Sequence, residues 1–254
     1  MKYLIKMIQF PIWLVFLVLF CKNPTESRLP PIQKIDRQDT ILALGDSYTI
    51  GQSVAVEARW PNQLVQQLRN KKWMVADPKI IARTGWTTLN LRQAIEATPL
   101  APPYELVTLL IGVNDQFQER GLENYRSGFC YLLNKSIELA GGNPQRVVVL
   151  SIPDYSVTPF GKEFNPEKIR AEIDQFNALN FELSKQANVH YVDITPISRR
   201  AEDEPDLLAV DQLHPSGKMY AEWVKLLLPL AEAILSEKVA LGQAVGASSV
   251  HPEM

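Results

Sequence analysis

The sequence predicts an α/β fold in which helices cover both faces of a mostly parallel sheet. Short apolar strand-like runs alternate with amphipathic helical segments along most of the chain, and those runs are continuous rather than alternating in polarity. A continuous apolar run suits a strand buried on both faces, the environment of a parallel sheet. The length of 254 residues suits one domain of this kind with a substantial apolar core.

Each element has its own signal. Thr40–Leu44 is an apolar run ending at Gly45, the pattern of a buried strand. Trp60-Pro61-Asn62 opens a helix with Leu64, Val65 and Leu68 on one face and Gln66, Gln67 and Arg69 outside. Lys79–Ala82 is the second strand and Leu89–Ala97 the next helix. Leu106–Ile111 is a strongly apolar strand before Gly112, and Tyr125–Ala140 has helical spacing closed by Gly141-Gly142. Arg146–Ile152 is a buried strand, Glu167–Ala187 a helix and Val189–Ile194 a strand. Ser216–Glu237 reads as a long amphipathic helix through Tyr220, Trp223, Leu227, Leu230 and Ile234, with Pro229 expected to kink or split it. In a parallel sheet the active site lies in the crevice at the carboxyl ends of the strands. Gly45 and Gly112 follow strands, so Asp46-Ser47 and Asn114 are expected at the same sheet edge.

The chain ends differ from this pattern. Lys2 and Lys6 form a basic start, Phe10 to Phe20 is almost wholly apolar, and Lys22 ends the run. Only residues 7–21 separate the flanking lysines, short of the roughly 20 that span a bilayer, so residues 1–22 read as a secretory leader. Val18-Leu19-Phe20-Cys21 resembles a lipoprotein signal box, although Phe20 is bulky where that box wants a small residue. Cleavage, lipidation at Cys21 and retention as an uncleaved anchor stay open, and each exports the chain to a periplasmic or cell-surface location. Residues 23–38 form a linker broken by Pro24, Pro30 and Pro31; residues 39–236 form the domain; residues 237–254 form a tail expected to lack structure.

Bulk composition excludes several classes. There are 26 Lys+Arg against 28 Asp+Glu, without a basic stripe, so nucleic acid is not an expected partner. Cys21 and Cys130 cannot build a disulfide framework, and Cys130 is expected to be free and buried in its helix. Three histidines and two cysteines show no zinc spacing, and no metal or cofactor is expected. Oligomeric state leaves no trace in the sequence.

Four short segments carry chemistry: Gly45-Asp46-Ser47-Tyr48, Thr84-Gly85-Trp86, Gly112-Val113-Asn114-Asp115 and Asp211-Gln212-Leu213-His214-Pro215. Ser47 lies just after a strand, where a turn exposes a hydroxyl and a backbone N–H; taken alone, Gly-Asp-Ser is usually a plain turn. Asp211 and His214 are three residues apart, so one carboxylate can hold one ring nitrogen and leave the other for a nucleophile. The bland alternative is a turn cap beside an exposed loop histidine. The Asn114 amide can donate to a developing oxyanion or form an ordinary Asx turn. Gly85 allows close approach of its backbone to a substrate. The Gly-x-Ser-x-Gly elbow of other serine hydrolases is absent, because Thr49 stands where that motif has glycine. Asp46 and Asp115 are expected to tie loops together. Asp154 and the loop 154–164 are expected either to line the cleft or to form a solvated rim. Trp60 and Trp86 are expected in the core, with stacking on a sugar or acyl group as the alternative. His190 and His251 have no catalytic neighbours.

Together the four segments resemble the SGNH hydrolases, also called the GDSL esterase/lipase family. Gly45-Asp46-Ser47 matches the first block, with Tyr48 in place of the usual leucine. Gly85 fits the second, Gly112-x-Asn114-Asp115 the third, and Asp211-x-x-His214-Pro215 the fifth. The resemblance covers roughly residues 39–236. It implies a three-layer α/β/α sandwich with a five-stranded parallel sheet of flavodoxin-like type. It also implies ester hydrolysis, with Ser47 as nucleophile, His214 as general base and Asp211 orienting it. The oxyanion hole would be the Ser47 and Gly85 N–H groups and the Asn114 amide. The expected substrate is a small-molecule or glycan ester, whether lipid, lysophospholipid or acetyl. The other reading is a surface-attached binding protein on a non-catalytic scaffold of this type; the intact Ser47, Asn114, Asp211 and His214 argue against it.

Overall fold

A computed structural model gives the structure of residues 38–247, with side chains through Ser236. The expected leader, nearly all of the linker, Cys21 and His251 lie outside the described residues.

Five strands form one parallel sheet: β1 (Ile41–Gly45), β2 (Lys79–Ala82), β3 (Leu106–Leu110), β4 (Val147–Leu150) and β5 (His190–Val192). Their spatial order is β2-β1-β3-β4-β5, and every pairing is parallel. The three central strands are buried along their whole length, which explains their unbroken apolar runs, whereas the edge strands β2 and β5 are only partly buried. Gly45 is in register with both Ala82 and Leu110. The loops that leave β1, β2 and β3 therefore start at one level of one edge. The strand order reverses between β1 and β3, the point where open α/β sheets open a crevice.

Nine helices of four residues or more connect and follow the strands among the described residues. They are α1 (Ser47–Ile50), α2 (Trp60–Asn70), α3 (Thr88–Ala97), α4 (Val113–Phe117), α5 (Leu122–Leu139), α6 (Pro159–Lys162), α7 (Pro166–Gln186), α8 (Thr195–Arg199) and α9 (Gly217–Ala247). α2 packs on α9, while α3 packs on α5 and α5 on α7, giving the outer layers of a three-layer sandwich. α2 buries Trp60, Leu64, Val65 and Leu68, and α9 answers with Tyr220, Trp223, Val224 and Leu227. On the other face Tyr125, Phe129 and Leu132 of α5 meet Ile173 and Phe176 of α7 in the core, with the Tyr125 and Phe176 rings stacked 4.5 Å apart.

Several local signals explain helix starts that periodicity alone does not set. α3 begins at Thr88 because Thr87 and Asn90 form a capping box. α7 begins at Pro166, with the Asn165 side chain accepting from the Lys168 N–H at 3.0 Å. The one-turn helices α1, α4, α6 and α8 are too short to show a hydrophobic period. At the C-terminal end Pro229 lies inside α9, so the splitting alternative does not hold, and the helix runs on to Ala247 where a structureless stretch was expected from 237; residues 248–254 lie outside the described residues. Cys130 is free, as expected, but only half-buried.

Gly112 joins β3 to α4 with φ of 134°. A Cβ there would come within 2.6 Å of the Tyr125 ring and 2.7 Å of Ile152. Tyr125 cannot retreat, because its hydroxyl is held between the Ile111 carbonyl and the Asn180 side chain, at 3.0 and 2.6 Å. Gly112→Ala should therefore combine backbone strain with overpacking and remove about 2–4 kcal/mol, measured as a lower denaturation midpoint; an unchanged midpoint would contradict this packing.

Candidate active site

The segment after β1 is one clamped turn. Asp46 caps α1, its Oδ1 accepting from the Tyr48 N–H at 3.0 Å, and the left-handed Gly51 closes the turn by donating its N–H to the Ser47 carbonyl at 3.0 Å. Ser47 is the first residue of α1. The segment after β2 carries Gly85 at φ of 80°, a conformation that favours glycine.

α4 holds that second loop in place. The Asn114 amide donates to the Trp86 carbonyl at 3.0 Å. Asp115 accepts from both the N–H and the hydroxyl of Thr88, at 2.9 and 2.7 Å. Gln118 adds a long bond of 3.4 Å to the Gly85 carbonyl. Asn114 uses one amide hydrogen on Trp86 and keeps the other.

Asp211 and His214 lie on a tight loop before α9. Ala209 donates its N–H to the His214 carbonyl at 2.7 Å, and Gln212 adopts φ of 57°. Asp211 does cap a turn, accepting at Oδ1 from the Leu213 and His214 N–H groups at 3.1 and 2.9 Å. It also holds the ring: Oδ2 lies 2.7 Å from His214 Nδ1, and the His214 side chain is only 12% exposed. The exposed-loop alternative for His214 is therefore wrong. Ser53, unmarked in the sequence, donates its hydroxyl to Asp211 Oδ2 at 2.5 Å from a left-handed backbone.

These parts meet around one cavity of about 150 Å³, lined by Ser47, Tyr48, Thr84, Gly85, Val113, Asn114, Phe117, Tyr155, Phe160, Leu213 and His214. Among the described residues no direct hydrogen bond joins the Ser47 hydroxyl to the His214 ring, although both line this cavity. Nor does any group of His, Cys, Asp or Glu among them offer a metal site.

The apolar wall comes from Phe117, which sequence reasoning missed, and from the loop 154–164, whose Tyr155 and Phe160 take the cleft-lining alternative. Phe117, Tyr155 and Phe160 line the cavity, while Trp60 is wholly buried in the core and Trp86 packs half-buried against it. Asp154 does not line the cleft. It is buried, with Arg199 Nε 2.8 Å from its Oδ2, and its Oδ1 accepts the Ser156 N–H at 2.9 Å, so it anchors the loop whose aromatic residues do line it.

Three carboxyl groups near the cavity have different environments. Burial would raise Asp211, but the Ser53 hydroxyl, the His214 N–H and ring, and the Leu213 N–H outweigh it and lower the group to about 2. Asp115 is raised by burial, against the opposing pull of Thr88. Asp46 is raised to about 8, first by burial and further by the charge of Asp115, with the Tyr48 N–H opposing. Its Oδ2 has no hydrogen-bond partner among the described residues.

Residues 43–222 match the GDSL-like lipase/acylhydrolase family. The chain belongs to that family. Membership makes it a hydrolase of ester bonds, and solved structures agree on the fold. One is an acetyl xylan esterase variant from Geobacillus stearothermophilus, 19% identical, covering 78% of this chain and 97% of its own, with a TM-score of 0.59. The lipase/acylhydrolase from Enterococcus faecalis is 20% identical over 76% of this chain and 94% of its own, with a TM-score of 0.58. A lipolytic G-D-S-L family protein from Veillonella parvula DSM 2008 is 17% identical over 75% and 96%, with a TM-score of 0.56. Among curated proteins none matches this hydrolase.

The Asp46 environment has a stability consequence. An unfolded aspartate releases its proton near 3.8, whereas folded Asp46 keeps it up to about 8. The folded state binds the extra proton between those values, so this group's contribution to stability falls as pH rises through that window. Asp46→Asn keeps the cap and removes the titration. The stability of Asp46→Asn minus that of the wild type should therefore grow from about pH 4 to about pH 8 and then level off. Denaturant melts across that range provide the check, and a flat difference would refute the assignment.

Proposed function

We propose that this enzyme cleaves carboxylic esters through an acyl-enzyme formed on Ser47. The observation that carries the reading is the meeting of Ser47, Gly85, Asn114 and His214 around one cavity, with Asp211 bonded to the outer ring nitrogen of His214. The Asp211 carboxylate holds the proton on Nδ1, so Nε2 is free to accept the Ser47 proton as the hydroxyl attacks the ester carbonyl. With Asp211 lowered to about 2, it stays ionised and stabilises the imidazolium that forms. The oxyanion takes hydrogen bonds from the Ser47 and Gly85 N–H groups and from the free hydrogen of the Asn114 amide. The Trp86 carbonyl keeps that amide from rotating away. His214 then protonates the departing alcohol, and water clears the acyl group by the same steps in reverse.

The cavity supports a short acyl group. A space of about 150 Å³ takes a group about the size of benzene, roughly six carbons. The apolar ring surfaces of Phe117, Tyr155 and Phe160 suit an acyl chain better than a sugar, and neither Trp60 nor Trp86 lines the cavity. The alcohol portion is left to be found by experiment, as a small-molecule or glycan ester.

The same reading makes the enzyme an exported one. Its support is the basic start at Lys2 and Lys6, the apolar run from Phe10 to Phe20 and the proline-broken linker. Attachment to a membrane then depends on whether the leader is retained or Cys21 is lipidated. Among the described residues no helix is long and apolar enough to cross a membrane.

Ser47→Ala should lose both ester hydrolysis and labelling by a fluorophosphonate; persistent labelling would place the nucleophile elsewhere. Asn114→Ala should keep the label but lower kcat by about 10²–10³, the usual effect of losing one oxyanion donor. Cell fractionation should recover the protein outside the cytoplasm, and a purely cytoplasmic pool would refute export.

A further inference from the structure

Beside the catalytic cavity lies a second one of about 330 Å³, and Phe117 and Tyr155 line both. Tyr155 is fixed: it is buried, and its hydroxyl donates to Gln116 Oε1 at 2.9 Å, while Gln116 donates to Glu172 at 2.7 Å. Phe117 packs against three other rings. It sits 6.3, 6.0 and 5.8 Å from Tyr155, Phe160 and Phe164, at the last position of α4, and is 45% exposed. The second cavity continues the apolar surface through Phe164 and Ile169, and then meets the Lys168–Glu119 ion pair at 2.7 Å.

We propose that the Phe117 ring sets the upper limit of acyl length by closing the catalytic cavity off from this second one. Only the identity of the occupant, an acyl chain, rests on the acyl-enzyme reading. The chain buries its first carbons against Phe160 and Tyr155 and stops at Phe117. With the ring gone, a longer chain runs on over Phe164 and Ile169 until it reaches the charged end.

Calorimetric binding of hexanoate and decanoate to Ser47→Ala and to Ser47→Ala/Phe117→Ala reads the partition without turnover. Removing the ring should shift the affinity ratio toward decanoate by at least about tenfold, the worth of two further buried methylenes. An unchanged ratio in the folded double variant overturns the proposal. If that variant does not fold, Phe117→Leu carries the same test with a smaller expected shift. Hydrolysis of nitrophenyl butyrate and decanoate by the proteins with Ser47 intact should show the same shift in rate ratio. A shift in binding from enzymes that hydrolyse neither ester would support the partition and defeat the acyl-enzyme reading. Hydrolysis of both esters with an unmoved ratio would do the reverse.

Discussion

The buried Asp115 carboxylate and the two hydrogen bonds it accepts from Thr88 hold the site together. β2 and β3 are not neighbours in the sheet; β1 lies between them. The loop after β2 therefore has no ladder partner to set its height over the edge. Asp115 supplies that constraint by capping α3 from across the crevice, and Asn114 adds a second tie to Trp86 two residues earlier. Hydrogen bonds to a charged group are worth about 1.5–3 kcal/mol each, enough to fix a loop of five residues. Gly85 and Asn114 thus take up their positions as one unit, because adjacent residues of α4 hold the glycine loop and present the amide.

The site divides its acids by environment rather than by residue type. Asp211 has four donors and is half in water, so it stays charged beside the imidazole. Asp46, one residue before Ser47, accepts from the Tyr48 N–H and has almost no solvent, so it favours the neutral form. In the proposed mechanism a neutral Asp46 spares Ser47 a second negative charge beside the oxyanion. It is a loop-tying residue whose electrostatic silence suits its position.

The aromatic wall assigns the loop after β4 a function. Asp154, held by Arg199 and also 3.7 Å from Arg170, secures the start of that loop from below. Tyr155 and Phe160 then face the cavity, where they meet Phe117 from α4. The short helix that carries Asn114 therefore also supplies Phe117 to the cavity wall.

Much of this molecule was legible from residue order alone. Continuous apolar runs are what a doubly covered parallel strand requires, so all five strands and the five long helices announced themselves. The four segments that meet around the cavity were legible too, since glycine after a strand and Asp-x-x-His-Pro are local patterns with local reasons. What only the tertiary structure decided is everything that depends on distant residues meeting. Ser53 reaches Asp211 across 158 positions, and nothing near either residue encodes that bond. Phe117, Tyr155 and Phe160 sit in one-turn helices and loops too short to show a period, so their shared surface could not be read in advance. Trp60 and Trp86 were expected in the core, and Trp60 is buried there while Trp86 packs against it. Which aromatic rings face the cavity and which pack inside is settled by strand order and loop anchoring, and neither is written in the spacing of apolar residues.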